Sequence, residues 1–271
     1  MLLDSVLLPT PPLGLATTIT GIWTSVLASG CSAFAVMVTA AIGPPHPLQP
    51  HAMPLPPAAS APAPEVLVLV AHPQMEHSRA NRALMRAAGE VAAASKGRVE
   101  VRDLYALYPD YLIDTGAEQA VLAGAKLVVW QHPVHWYSMP PLMKLWLDEV
   151  LAFGWAYGPG GHALQGKDLW LALSTGGPQE SYRPDSYNRY FFDAFLPPVE
   201  QTAALCGMRF LPPLVLHGAH RVGDDGVAAH ARLYAERLAR YPDWPELAEL
   251  AECVACDVPA SARPPVGAES S

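Results

Sequence analysis

Three short apolar runs constrain this chain more than any other feature. They are Glu65–Val70 (EVLVLV), Lys126–Gln131 (KLVVWQ) and Asp168–Ser174 (DLWLALS), and each ends in a turn signal. The first two stop at His-Pro and the third at Thr175-Gly176-Gly177. Runs of this length without polar alternation read as strands buried on both faces. Helical patterns lie between them. From Ser78 to Lys96, Leu84, Ala87, Ala88 and Val91 recur at spacings of three and four on one face. Pro141–Val150 begins with a proline at a position where a helix tolerates it.

The same reading gives a strand at Val99–Asp103, a short helix at Gly116–Ala123 and a helix at Pro198–Cys206. A last helix runs from Asp224 to Tyr241, with the Asp pair expected to cap it. Arg209–Leu216 is a fifth strand broken by Pro212-Pro213, so it is expected at a sheet edge. Strands alternating with helices imply an α/β domain, doubly wound around a five-stranded parallel sheet with helices on both faces. The domain is expected over residues 65–242, with a mobile Pro/Ala/Glu-rich tail over 243–271.

Residues 1–64 differ. No Asp, Glu, Lys or Arg occurs between Asp4 and Glu65. Leu13–Ile42 is apolar, and Gly43–Pro64 is Pro/Ala-rich like an extended linker. The apolar stretch is long enough to span a bilayer but lacks flanking positive charge. Three readings stay open: a membrane anchor, an unstructured or weakly helical extension, or a true start downstream at Met53. The four cysteines, Cys31, Cys206, Cys253 and Cys256, do not form a disulfide framework. The Cys253/Cys256 pair has no second pair to complete a metal site, so no metal is expected. This usage fits a reducing cytoplasm. A net charge of −8 argues against nucleic-acid binding.

Ligands of doubly wound sheets bind outside the carboxyl ends of the strands, so three loops are read together. After the first strand, His72 precedes Ser78, which stands at a helix N-cap position. Free N–H groups of Arg79, Ala80 and Asn81, with the Ser78 and Asn81 side chains, suit a phosphate monoester. The chain has neither G-x-G-x-x-G nor G-x-x-x-x-G-K-[ST] here, which disfavours a dinucleotide turn and a nucleotide-hydrolysing loop. The bland alternative is that Ser78 only caps a helix and His72 only packs. After the third strand come Pro133, Val134, His135, Trp136 and Tyr137. After the fourth come Ser174, Thr175, Gly176 and Gly177, where glycine admits close approach of a flat ring. Together these loops suit a planar cofactor with a phosphate tail, although core packing is the commoner fate of a Trp-Tyr pair.

The segments AHPQMEHSRANRAL, LYALYPD, VVWQHPVHWYSMPPLMKLWLDEVL, GWAYGPGGHALQGK, STGG and CGMRFLPP occur in order across the second zone. Together they resemble the flavodoxin-like NAD(P)H:quinone oxidoreductase family. Within it the likeness is greatest to the KefF and KefG ancillary proteins of glutathione-regulated potassium-efflux systems. The resemblance implies a flavodoxin-like strand order of 2-1-3-4-5 and a homodimeric FMN enzyme. Such an enzyme passes a hydride from NADH or NADPH through flavin N5 to a quinone. It places FMN contacts at His72, Ser78, Arg79, Ala80, Asn81, Pro133, Val134, His135, Trp136, Ser174, Thr175, Gly176 and Gly177. It implies catalytic or pocket-wall roles for Tyr182 and Tyr157, with Phe153 and Trp155 as further wall candidates from a partner chain. It also implies docking on a Kef-type potassium/proton antiporter, at the inner face of the cell membrane.

One departure matters. Mammalian relatives keep a Tyr and then a His after the Thr-Gly-Gly turn; Tyr182 sits at the first spacing, but the second falls on Asn188. The rival readings are an electron carrier, a regulatory subunit with a structural flavin, and an azo- or nitro-reductase.

Overall fold

The structure, a computed structural model, describes residues 63–250. The expectations for the apolar stretch, the linker, Met53, the Cys253/Cys256 pair and the far tail lie outside those residues. Among the described residues, no helix is long and apolar enough to cross a membrane.

The sheet is built from β1 (Val66–Val70), β2 (Val99–Asp103), β3 (Leu127–Pro133), β4 (Asp168–Ser174), β5 (Arg209–Phe210) and β6 (Leu214–Leu216). All pairings are parallel, in the order β2-β1-β3-β4, with β5 and β6 both against β4. β5 and β6 are the two halves of the expected fifth strand. They are separated by Leu211, Pro212 and Pro213, because proline supplies no N–H for the ladder. Every residue of β1, β3 and β4 is buried, as apolar runs without alternation require.

Side-chain alternation divides the core. Val66, Val68, Val129 and Trp170 face α1 (Arg79–Ala94) and α6 (Asp224–Arg240). Leu67, Leu69, Trp130 and Leu171 face the other layer. That layer holds the short α2 (Leu104–Leu107), then α3 (Thr115–Gly124), α4 (Pro141–Val150) and α5 (Pro197–Leu205). The expected helix and strand limits hold to within about two residues. The one-turn α2, capped by the Asp103 carboxylate, was not anticipated.

Two features depart from simple expectation. The Asp224-Asp225 pair lies inside the first turn of α6, and Gly223 is its N-cap with no side-chain bond. The pair therefore favours the helix through its dipole rather than by capping, and Asp224 instead binds Arg79. Glu118, fully buried on α3, is held by Arg102 Nη2 at 2.5 Å, by Trp146 Nε1 at 2.9 Å and by the Tyr108 hydroxyl. A buried carboxylate persists only when paired and hydrogen-bonded in this way, and here it ties β2, α3 and α4 together.

Candidate functional site

The site lies outside the carboxyl ends of β1, β3, β4 and β6. Beyond β1, a turn at Met75–His77 delivers the chain to Ser78, the N-cap of α1. Ser78 Oγ accepts from the Asn81 backbone N–H at 3.2 Å and from Asn81 Nδ2 at 3.3 Å. This corrects the expectation of three free N–H groups: capping consumes that of Asn81, leaving those of Arg79 and Ala80 without a protein acceptor among the described residues. Asn81 is buried, and its Nδ2 also donates to Ser174 Oγ at 2.9 Å. Its side chain thus braces β4 against α1 rather than offering a donor to the cleft. The Ser78 hydroxyl accepts in these bonds and keeps its own proton to donate.

His72 adds a neutral donor. Its Nδ1 accepts from the Gln74 N–H at 3.0 Å, so the ring proton sits on Nε2. Burial, and then the nearby His135 ring, push its imidazole below the ordinary histidine range. The Arg79 guanidinium points elsewhere. It binds Asp224 at 2.9 Å and the carbonyls of Ala219 and Val222, lacing the loop after β6 to the start of α1.

Beyond β3, His135 and Ser138 exchange two backbone hydrogen bonds of 3.0 Å around a two-residue turn. Both central residues, Trp136 (φ 50°) and Tyr137 (φ 63°), are left-handed. Turns of this kind favour Asn-Gly, and bulky aromatics there are strained. Trp136 is 92% exposed, so ordinary core packing is not what holds it. Tyr137 stacks on Phe195 with ring centroids 5.1 Å apart and donates to Asn188 Oδ1. Asn188 also donates to Ser181 Oγ at 2.8 Å, so both its amide oxygen and its amide nitrogen are engaged.

Beyond β4, the Thr175 N–H goes to the Leu216 carbonyl at 3.0 Å. The open donors of this turn are therefore Gly176 and Gly177 alone. Thr175 Oγ1 donates to the Gly177 carbonyl at 2.7 Å and lies 3.1 Å from His217 Nδ1, which must then donate to it. Tyr182 packs beside His217, with ring centroids 5.4 Å apart, and burial pushes its hydroxyl above the usual tyrosine range.

These loops enclose a cleft of about 710 Å³. A smaller recess of about 220 Å³ adjoins it through Val134 and Gly176. The larger space is lined by His72, Ser78, Arg79, Ala80 and Asn81 at one end. Pro133, Val134, His135, Ser174, Thr175 and Gly176 line the other. Trp136, Gly177 and Tyr182 line the recess. Tyr157 lines neither. It follows α4, which starts at the carboxyl edge of the sheet and runs back about 15 Å over its ten residues. It packs on Phe153 at the far end instead. The sequence reading missed Ala219 and His220, which close the cleft from the loop after β6, and His217, which stands behind Thr175.

A family model described as having a flavodoxin-like fold matches residues 64–240. The chain belongs to the flavodoxin-like family. It is 46% identical over 181 residues to the glutathione-regulated potassium-efflux system ancillary protein KefF of Klebsiella pneumoniae, covering 67% of this chain and 97% of that protein. Among solved structures it is 38% identical to general stress protein 14 of Treponema denticola in complex with FMN. The TM-score there is 0.59, over 65% of this chain and 98% of that one. A Klebsiella pneumoniae protein proposed to be a quinone reductase is 29% identical, with a TM-score of 0.55 over 65% and 84% of the two chains.

Proposed function

We propose that this chain is an FMN-dependent NAD(P)H:quinone oxidoreductase that also serves as the ancillary protein of a Kef-type potassium-efflux antiporter. The observation that carries the reading is the pairing of two kinds of open donor across one cleft. Arg79 and Ala80 N–H groups, with the Ser78 hydroxyl, stand at one end, and Gly176 and Gly177 N–H groups at the other. The first set fits a phosphate without lysine or arginine, in keeping with a net charge of −8. The second fits the polar edge of a flat ring. At Gly176 a Cβ would meet only His220, at 3.7 Å, so the backbone of this turn is otherwise open to close approach. The volume of about 710 Å³ lies within the range of cofactor sites. The relatives named above, one holding FMN, support the same group.

Bound FMN supplies two-electron hydride chemistry between a nicotinamide and a quinone. The protein supplies the rest. The Gly176 and Gly177 N–H groups would hold the polar edge of the ring and could stabilise negative charge there, as oxyanion-hole donors do. Trp136 and Tyr137 wall the recess. Asn188, held between Ser181 and Tyr137, has no titratable proton to exchange. His217, whose Nδ1 is engaged by Thr175, keeps Nε2 for proton exchange beside Tyr182. A homodimer is the route by which Tyr157 reaches a cleft, that of the partner chain. Docking on an antiporter sets the protein at the cytoplasmic membrane face, and the KefF likeness supports this part of the reading.

The test uses the full chain. As purified it retains flavin absorbance and oxidises NADH or NADPH faster when a quinone is added. Ser78→Asp keeps an acceptor for the Asn81 N–H but sets a carboxylate against the phosphate. A folded, colourless variant is expected, and a yellow one overturns the phosphate placement. A rate indifferent to quinone overturns the activity.

A further inference from the structure

His132 stands at the penultimate position of β3 and is 4% exposed. Its Nδ1 lies 3.0 Å from the Pro133 carbonyl, which can only accept, so Nδ1 bears the proton. Nε2 is then a bare acceptor, and it is buried with no partner. Burial pushes this imidazole down to about 4, so the ring is neutral near pH 7. A buried acceptor left unpaired costs free energy, and native cores rarely keep one without a use.

His132 borders a chamber of about 260 Å³ between the ends of β3 and β4 and the start of α5. Its walls include Met139, Leu171, Leu173, Phe192, Phe195 and Val199, and no lysine, arginine, aspartate or glutamate lines it. Val134 and Tyr137 separate it from the recess described above, since they line both. An engineered apolar cavity of about 150 Å³ takes benzene, so this one has room for a substituted ring.

We propose that this chamber is a second small-molecule site, taking a neutral, mainly apolar ring that donates one hydroxyl hydrogen bond to His132 Nε2: a phenol or a quinol. The unpaired lone pair demands a donor and repels an anion. The apolar walls would strip a cation of its hydration without replacing it. Water alone fits poorly, because a buried water needs two to four polar partners and the walls are mostly hydrocarbon. The site stands apart from the flavin reading, since its walls are complete without the cofactor and its occupancy is read by a different signal.

The experiment titrates the full chain with 4-propylphenol and with its methyl ether, 4-propylanisole, which has the same body and no donor. Binding is followed by calorimetry and by the methyl resonances of Leu171, Leu173 and Val199. The phenol is expected to shift those resonances and to bind about tenfold more tightly than the ether, the worth of one buried hydrogen bond. His132→Phe abolishes that preference. Ala194→Trp, at the exposed rim, weakens both probes and stands in if the core variant does not fold. Equal binding of phenol and ether overturns the proposal, as does full affinity in both variants, absence of binding, or shifts confined to the His72–Gly176 cleft. Flavin retention, read by absorbance, reports separately on the main cleft.

Discussion

Replacing Trp136 with glycine separates strain from function at the turn after β3. The φ of 50° places Trp136 in the left-handed region, where an L residue carries about 1–2 kcal/mol. Its indole is 92% exposed, so truncation removes almost no packing. Glycine relieves the strain but gains backbone freedom in the unfolded chain, which costs about 0.5–1 kcal/mol. The difference leaves Trp136→Gly more stable than the parent by about 0.5–1 kcal/mol once flavin has been removed, or about 1–4 °C in Tm for a domain of this size. Flavin affinity moves the other way, because the indole has the bound ring to cover. A lost aromatic contact of about 0.5–1.5 kcal/mol weakens binding roughly 2- to 12-fold. Urea unfolding of the flavin-free chain, followed by circular dichroism, gives the first quantity, and flavin fluorescence quenching gives the second. A variant destabilised by more than about 0.5 kcal/mol, beyond the usual surface effect, or one with unchanged flavin affinity, refutes the reasoning.

Three further outcomes are expected. Between pH 6.5 and about 4 the unfolded His132 ring binds a proton and the folded one does not, so stability falls as pH is lowered through that window. His132 contributes about 1.4 kcal/mol per unit, and His132→Phe removes that share in urea midpoints compared at pH 7 and 4.5, leaving the smaller contributions of the other, partly buried imidazoles. Glu118→Ala leaves Arg102 with Glu100 alone, strands the Trp146 and Tyr108 donors, and costs about 3–5 kcal/mol in chemical denaturation; a loss below about 1 kcal/mol would show that the network is not holding its three elements. Gly177→Ala places a methyl 2.7 Å from Ser181 Oγ and 2.9 Å from the Tyr187 hydroxyl. It costs about 1–3 kcal/mol, seen as a lower Tm.

Much of the fold was legible because its strands are buried on both faces. Val66–Val70 and Asp168–Ser174 carry that requirement in every residue, and the turn residues after them mark where each strand stops. The phosphate end of the cleft was legible in outline from Ser78, whose capping role follows from its residue type and place. What the sequence concealed was how donors are shared. Nothing local reveals that Ser78 spends the Asn81 N–H, or that Leu216, forty-one positions on, takes that of Thr175. The Ala219–His220 wall was missed although a signal was present: it follows the carboxyl end of the last strand, the same rule that selected the other three loops. Tyr157 lies outside the cleft of its own chain. Its aromatic surroundings resemble a pocket wall, yet a helix running back along the sheet carries it away from the cleft. The left-handed Trp136 could not be foreseen, because residue type argues against that conformation.

The proline break at 212–213 has a consequence for how this protein behaves in crowded solution. The outer border of a sheet is a template on which a foreign strand can pair, and such pairing is the usual start of β-aggregation. Here that border has no backbone donor at Pro212 or Pro213. The Leu211 N–H is turned inward to Leu169, and the Pro212 carbonyl is taken by the Trp170 indole at 3.1 Å. An incoming strand meets a gap in the middle of its would-be ladder. The same two prolines that split β5 from β6 thus guard this side of the sheet against runaway extension.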